Sequence, residues 1–347
     1  MATITPNAVF PTAGNVFTGG ATNPYSGTFI PALWSGKMTD KFYDATVLAA
    51  ISNTDYEGEI KDFGDQVIIR TKPSIGIRDY HAGNDGDGTT PARLTYEKPT
   101  SPTTTLLINK GNYWGTELDD VMEVQSDIDQ LSMWADDASE QMKISIDTNV
   151  LSWMHESGLI FNGAVAGTGG NRGSAAGRIS QDINLGKPGG VNSLVVTKNN
   201  ITDLIVDAGT VLDEANVPES GRWLVIPAWM AGRIKKSELK DASLTGEGTS
   251  ILRNGRLGTI DRFTIYMSNL LPSGTGILDN GVDGAGVAGE AAVYFGHSIG
   301  MTFASQVTKT ETLRVESTFG TIMRGLQVYG HQIVKGDALG EMIVRKS

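Results

Sequence analysis

The sequence contains no cysteine and only 4 histidines among its 347 residues. Without thiols, disulfide bonds and thiolate metal sites are excluded, and such a chain is typical of a reducing cytoplasm. The histidines are His81, His155, His297 and His331, and none of them has a ligand partner at the spacing of a metal site. The sequence therefore predicts no metal and no other cofactor.

Positive charge is also scarce. The chain has 28 Lys and Arg residues against 39 Asp and Glu residues, which gives a formal net charge of −11. A dedicated nucleic-acid binder needs a basic surplus to neutralise phosphates, so that class is disfavoured. No apolar run approaches the roughly 20 residues that span a bilayer. The first residues, MATITPNAVFPTAGN, lack the basic start and apolar run of a signal peptide. We therefore expect a protein made without export and with no membrane partner.

Catalytic motifs are missing as well. The sequence has no G-x-S-x-G, no H-E-x-x-H and no Rossmann fingerprint, and the glycine-rich stretch GTGGNRG lacks the spacing of a phosphate-binding loop. The acidic neighbours Asp119 and Asp120, like Asp136 and Asp137, would point apart on a helix and would not form a carboxylate dyad. The sequence therefore does not predict an enzyme.

What is present begins with two extended arms around an acidic stretch. FGDQVIIRTKPSIGIRDY and ARLTYEKPTSPTTTLLINKGNYWG are rich in β-branched residues, which favours strands. Between them, HAGNDGDGTTPARLTYEKP resembles a calcium loop, but Thr90 and Tyr96 stand where an EF-hand requires glycine and glutamate. We interpret this stretch as the tip of a β-hairpin about 50 Å long. Little else in the chain is left to cover such a hairpin, which would be marginally stable alone.

A long helix and a compact α/β region follow. Apolar residues recur every three or four positions from 126 to 157, which predicts one helix about 45 Å long. A second amphipathic helix ends before Pro218, and strands are expected in GRWLVIPAWM, in GRLGTIDRFTIYMSNLLP and in the closing part of the chain. The first residues, rich in Gly and Thr with scattered aromatics, fit either an arm that docks on a neighbour or a frayed terminus.

This order of elements resembles the major capsid proteins of tailed bacteriophages, whose fold is shared with the herpesvirus capsid floor and encapsulins. FGDQVIIR looks like the G-D-x-V-x-I-R entry into the extended hairpin of that family, the E-loop. LDEANVPESGRWLVIP looks like its helix end D-E-x-N-V-P-x-x-x-R with the following L-V-I-P. GRLGTIDRFTIYMSNLLP looks like its strand motif G-x-x-G-x-I-x-x-F-x-I-Y-x-S-N-x-L-P.

The resemblance implies an α+β fold with an N-terminal arm, a long E-loop, a spine helix, a peripheral domain and an axial domain. The implied ranges are 1–45 for the arm, 46–193 for the peripheral domain with the E-loop at 60–115 and the spine helix at 126–157, 194–300 for the axial domain, 301–335 for strands that return to the peripheral domain, and 336–347 for a last strand in the axial domain.

The implied function is structural. Many copies of a major capsid protein would form pentamers and hexamers in an icosahedral virion shell that is assembled in the bacterial cytoplasm and encloses double-stranded DNA without binding it specifically. Separate scaffolding, portal and decoration proteins are the further partners that the resemblance suggests. The alternatives are an encapsulin-like protein compartment with the same fold and, less favoured, a β-rich adhesin.

Charged residues on the hairpin are the candidates for ion pairs between subunits. They serve equally well to keep an exposed edge strand soluble, so both interpretations stay open. The candidates are Arg70, Arg78, Asp79, Arg93 and Glu97.

Overall fold

The structure is a computed structural model, and it describes the chain in segments. These are residues 43–44, 46–57, 66–73, 75–77, 96–125, 130–156, 171–172, 183–186, 193–237, 258–274, 289–315 and 318–347. The described residues form helices and strands in the α+β arrangement that the sequence predicts. Almost all of the predicted N-terminal arm (1–45) and most of the predicted hairpin tip (81–99) lie outside them.

The first half of the chain holds a short helix, a hairpin base, one strand of a larger sheet and the longest helix. Their bounds are α1 (Leu48–Ile51), β1 (Gln66–Arg70), β2 (Thr103–Leu107), β3 (Lys110–Asp119), α2 (Asp120–Gln125), α3 (Gln130–Glu156) and the short strands β4 (Asn171–Arg172) and β5 (Asn184–Gly186).

The second half alternates helices with strands and then ends in long strands. Its elements are β6 (Leu194–Val196), α4 (Ile201–Glu214), β7 (Arg222–Ile226), α5 (Ala228–Ile234), β8 (Thr259–Ile260), β9 (Phe263–Met267), β10 (Ser273–Gly274), β11 (Glu290–His297), β12 (Met301–Arg314), β13 (Gly320–Ile333) and β14 (Leu339–Lys346).

Two sheets organise these strands. A seven-stranded sheet has the order β6-β14-β11-β7-β9-β8, with β10 paired to the first residues of β11, and a three-stranded antiparallel sheet has the order β12-β13-β3. Strand β11 of the larger sheet is buried along seven of its eight residues, as is typical of a strand covered on both faces. One face of that sheet packs on α4 and α5, and the other shares a core with α1, α3 and the smaller sheet.

Polar contacts join helix α3 to the start of α1 and to the larger sheet. Near its middle, the Asp147 carboxylate accepts hydrogen bonds from the backbone N–H groups of Val47 (2.6 Å) and Leu48 (3.3 Å), which holds the start of α1. Burial raises the pKa of Asp147, although these two N–H groups act in the opposite direction. Toward the helix end, the Tyr294 hydroxyl donates to the carbonyl of Leu151 at 2.8 Å. Helix α3 thereby links α1 to the larger sheet.

The last turn of α3 adds a second link to the larger sheet. His155 Nδ1 lies 2.6 Å from the Glu341 carboxylate on β14, and both side chains are largely buried. Burial raises the pKa of Glu341, and the contact with His155 offsets only part of that effect.

The predicted elements agree with the structure in most places, and one boundary was wrong. Helix α3 lies inside the predicted range 126–157, with residues 126–129 and 157 outside the described part. The E-loop was predicted to extend to residue 115, but β3 pairs along its whole length with β13. Residues 110–115 therefore belong to the three-stranded sheet. The β-branched pattern continues through both elements, so it could not show where the hairpin ends and the sheet begins.

A buried arginine explains the most specific sequence motif. Arg222, at the start of β7, is 1% exposed and donates to the carbonyls of Pro218 (2.9 Å) and Val217 (2.7 Å). It also lies 2.7 Å from the Asp213 carboxylate, which takes a second ion pair of 2.7 Å from Arg262. Burial would raise the pKa of Asp213, but the two arginines outweigh it and hold that pKa below its usual value.

The same motif contains backbone that favours particular residues. Asn216 and Gly221 have positive φ angles of 57° and 79°, and the loop between them carries the carbonyls that Arg222 binds. Asparagine and glycine adopt this left-handed conformation at low cost. The residues of the motif therefore fix the conformation of the loop between α4 and β7.

A second buried group, His331, lies between α3 and the three-stranded sheet. Its Nε2 atom is 3.2 Å from Nζ of Lys110, and its ring packs edge-on against Trp153 at 4.4 Å between centroids. Burial, and then the charge of Lys110, lower the pKa of His331 to about 4. His331 is therefore neutral in the folded chain at neutral pH.

None of the described helices combines the length and the apolar character that crossing a bilayer requires.

We predict that Arg222→Met lowers the free energy of unfolding by about 3 kcal/mol, because it leaves buried carbonyls without donors. Arg262→Met removes the other partner of Asp213 from a more exposed position, and we expect it to cost about 1 kcal/mol or less. Denaturant unfolding of the two variants beside the unmodified chain measures both values. Equal losses for the two variants would contradict the role assigned to Arg222.

We also predict that His331 makes the fold sensitive to acid. At and above the ordinary histidine pKa of 6.5, His331 takes nothing from the free energy of unfolding. As the pH falls towards about 4, the unfolded chain gains a proton that the folded chain does not accept, and the free energy of unfolding decreases. The loss amounts to something on the order of 3 kcal/mol. Melting temperatures at pH 7.5 and 4.5 should therefore differ less for His331→Gln than for the unmodified chain. Asp147 and Glu341 have raised pKa values and act in the opposite direction, but they are the same in both chains. An identical acid loss in the variant would refute the assignment.

Candidate assembly surfaces

The base of the E-loop is a two-stranded ladder packed on its own three-stranded sheet. Strand β1 pairs antiparallel with β2, with Ile69 opposite Thr104. The inward side chains Ile69, Leu106 and Ile108 form a small core with residues of β12 and β13, including Val328. A Cβ atom at Gly330 would lie 2.2 Å from the carbonyl oxygen of Leu107, so the end of β2 rests directly on the sheet. The hairpin is therefore anchored at its base.

The hairpin exposes apolar side chains, both on the outer side of its base and beyond it. Ile77 is 93% exposed and Tyr96 is 89% exposed, and Ile68, Ile75 and Leu107 are also exposed. Scattered single apolar residues are normal on a surface, but five exposed ones on the described part of one narrow hairpin are an unusual concentration. The described part of the chain therefore does not cover the hairpin.

The structure describes two of the five candidate residues for intersubunit ion pairs. Arg70 ends β1 in an exposed position. Glu97 accepts a hydrogen bond of 2.7 Å from the backbone N–H of Gly76 and so ties the two hairpin arms together. Arg78, Asp79 and Arg93 lie outside the described residues. The intersubunit role of all five stays a prediction, and Glu97 has in addition a role within its own hairpin.

A second apolar surface lies on the three-stranded sheet, on the face away from α3, which we call the far face. Asn112 of β3 contacts Ser145 of α3, so its neighbour Tyr113 points to the far face and is 84% exposed. Leu326 pairs directly with Tyr113 across the sheet and is also exposed. The E-loop base covers this face near Val328, and the apolar surface continues beyond the covered part.

An ion-pair triad borders this apolar surface. The Glu311 carboxylate lies 2.7 Å from Nζ of Lys309 and accepts a hydrogen bond of 2.6 Å from Nε of Arg324. Lys309, and then Arg324, hold the pKa of Glu311 below its usual value. Because two cations share one carboxylate, the border adds one net positive charge.

The far end of the same sheet carries exposed apolar side chains, which we call the apolar tip. Phe319, in the turn before β13, and Val121, Met122 and Val124 of α2 are exposed. Arg314 holds this end together through a bidentate ion pair with Asp120, at 2.7 and 2.9 Å. Sequence reasoning missed both this tip and the far face. The alternation of Tyr113 between Asn112 and Trp114 was a signal for an exposed strand face, but it did not distinguish solvent from a partner.

The described residues do not bring together three His, Asp or Glu side chains in a group that could hold a metal ion. The closest acid-base arrangement, His155 with Glu341, is buried inside the core between α3 and the larger sheet. The accessible features of the described chain are thus extended apolar and strand surfaces, which suit contacts with other macromolecules.

Comparison with known proteins identifies the family that shares this arrangement. The chain matches the model of a phage capsid protein family over residues 115–339. A comparison of the sequence with curated proteins finds no match.

Solved capsid structures share the fold. A structure from Mycobacterium phage Che8 aligns with a TM-score of 0.68 at 23% identity, covering 90% of this chain and 96% of that chain. The capsid of cyanophage P-SCSP1u aligns with a TM-score of 0.64 at 16% identity over 100% of this chain and 99% of that chain. The mature capsid of bacteriophage PhiM1 aligns with a TM-score of 0.58 at 13% identity over 99% of both chains.

The family model covers well over half of the chain, and the structural matches extend over nearly all of it. The chain therefore belongs to the phage capsid protein family and has the fold of tailed-phage major capsid proteins.

Proposed function

We propose that the chain is the major capsid protein that builds the icosahedral shell around a phage genome. The family match over residues 115–339 carries this conclusion, and the near complete overlap with solved capsid chains supports it. The family match favours a phage shell over an encapsulin-like compartment, and the mixed α+β fold disfavours a β-rich adhesin. The role is structural rather than catalytic.

We assign the two sheets to the two domains that the resemblance implies. In our proposal the three-stranded sheet with α3 forms the peripheral domain, and the seven-stranded sheet with α4 and α5 forms the axial domain. The axial domains would meet around the five-fold and six-fold axes of the shell. The shared core between α3 and the larger sheet would hold the two domains in one subunit.

The E-loop is the element that would join one subunit to the next. Its exposed isoleucines, together with Tyr96, have no cover in the described chain, and the far face offers Tyr113 and Leu326. Burying two such apolar surfaces against each other yields roughly 25 cal/mol for each Å² removed from water. Since every subunit has several neighbours, modest contacts add up to a stable particle.

Charged groups on the hairpin would select the arrangement of neighbours. Our candidates remain Arg70, Arg78, Asp79, Arg93 and Glu97. Exposed ion pairs contribute at most about 1 kcal/mol each, so they would act on register and specificity rather than on total affinity.

The remaining partners follow from the shell. We propose that it assembles in the bacterial cytoplasm, with separate scaffolding, portal and decoration proteins as further partners. A net charge of −11 suits a shell that encloses DNA without binding it tightly.

Electron microscopy of the purified full chain tests the proposed function. We expect closed hollow shells or ring-shaped capsomers of uniform size. A chain that stays monomeric at high concentration would contradict the proposal.

A variant tests the role of the hairpin. We predict that Ile77→Asp strongly reduces the yield of shells while leaving the circular dichroism of the subunit unchanged, because a charge replaces an apolar group that assembly buries. Ile77→Leu keeps the apolar surface and serves as the matched control, which should assemble normally. Sedimentation of particles away from free subunits measures the yield. Full assembly of the Asp variant would show that Ile77 is not buried between subunits.

A further inference from the structure

In the part of the chain that the structure describes, strand β12 has an edge with free backbone groups along its second half. The N–H of Val315 donates to the carbonyl of Gly320 at 3.1 Å, which continues the register in which Glu311 faces Arg324. Hydrogen-bonded and non-bonded pairs alternate in an antiparallel ladder. The backbone groups of Lys309, Glu311 and Leu313 therefore bond to β13. Those of the alternate residues Thr308, Thr310, Thr312 and Arg314 point away from the sheet.

The first half of the same edge is already in use. The N–H of Asn53 donates to the carbonyl of Met301, and the N–H of Phe303 donates to the carbonyl of Asn53, both at 2.9 Å. A register shift between Ser305 and Val307 then separates this covered start from the open part. Within the described chain, no backbone group on the open side of residues 308–314 has a partner. The edge is therefore able to accept a strand over about 23 Å.

Strand β1 presents a second open edge of the same kind. The N–H of Thr71 donates to the carbonyl of Pro102 at 2.9 Å, in register with the pair Arg70 and Thr103. By the same alternation, Val67 and Ile69 bond to β2. The backbone groups of Gln66, Ile68 and Arg70 point away from the hairpin, and in the described part of the chain they too have no partner.

The two edges cannot meet within one subunit. The side chains of Val67 and Ile69 pack in the small core that holds the hairpin base against Val328 and Ala304. From there the open part of β12 runs on toward Arg314, at the opposite end of the sheet. Strand β1 can therefore reach this edge only from another copy, and its own open edge offers the matching backbone groups.

We propose that β1 of one copy pairs with the open edge of β12 on a second copy through backbone hydrogen bonds. This inference rests on the proposed shell function and names the surface that receives the E-loop. Lysine often guards an exposed edge against such pairing, but here the Lys309 side chain is held by Glu311 at 2.7 Å, and its backbone groups bond to β13 rather than lie on the open side. The edge is thus open to a specific strand.

The geometry of the contact has a consequence for assembly. Each copy offers two different edges, so the contact joins unlike surfaces head to tail. Contacts of this type generate closed rings when the rotation between copies closes. The proposed pairing therefore supplies the connection that rings of five and six copies require.

Paired cysteines test the proposal directly, because the chain has no cysteine of its own. Antiparallel addition places an outward residue of β1 opposite one of β12, with Cα atoms about 5.5 Å apart, which is within the range of a disulfide. Thr310→Cys is combined in turn with Gln66→Cys, Ile68→Cys and Arg70→Cys. After oxidation of assembled particles, we expect one of the three pairs to give a ladder of covalent oligomers on a non-reducing gel.

The control combines Thr310→Cys with Met267→Cys, which is half exposed on β9 of the other sheet. It should give no ladder. Assembled particles without a ladder from any of the three pairs, or with an equal ladder from the control, overturn the pairing but leave the shell function intact. Failure of the unmodified chain to form particles contradicts the shell function instead.

A proline substitution provides an independent measurement. Thr310→Pro removes an N–H that points away from the sheet, so the ladder with β13 keeps its hydrogen bonds. We expect unchanged circular dichroism and a shell yield roughly tenfold lower, since several copies of the contact are weakened together. Thr310→Val retains the N–H and the branched shape and should assemble normally. Equal yields from the two variants overturn the pairing.

Discussion

Unpaired backbone at a strand edge is the constraint on which the rest of this structure depends. Every buried N–H and C=O group needs a partner, and a sheet edge leaves a row of them unmatched. The seven-stranded sheet keeps its own edges short, with only three residues in β6 and two in β8. The three-stranded sheet and the hairpin have longer open edges, at β12 and β1. In its described part, a chain built in this way has a formed core but leaves strand-edge backbone groups without partners at its surface.

The connection between α3 and both sheets determines how such edges are presented. A hairpin can only serve as a reliable contact if its base does not move relative to the sheet that receives the next copy. Helix α3 provides that fixed frame. Its Asp147 holds the start of α1, and its last two turns contact Tyr294 and Glu341 of the larger sheet. Its Trp153 packs against His331 of the smaller sheet. These contacts are buried, so water does not compete with them as it does at the exposed ion pairs.

The sequence predicted the order of elements well because each has a local cause. Helix α3 follows from apolar spacing, and the turn from α4 to β7 follows from the residues that its backbone needs, Asn216 and Gly221. The role of Arg222 could not be predicted, since its partners include carbonyls brought together by that turn and Asp213 from the preceding helix. The end of the E-loop was missed for a similar reason. Residues 106–115 have strand character throughout, and only the pairing of β3 with β13 divides them.

The assembly surfaces were the least predictable part, because exposure alone does not distinguish a contact from solvent. Tyr113 and Ile68 are apolar residues within strands, and in a single sequence they look the same as core residues. Only the placement of β3 and β1 shows that both are exposed. The sequence predicts even less which backbone groups of β12 bond to β13, since this depends on the register shift between Ser305 and Val307. Without that shift, the backbone groups of Lys309 and Glu311 would point outward and those of Thr310 would bond to β13. A single extra residue in one strand thus decides which backbone groups a neighbouring subunit meets.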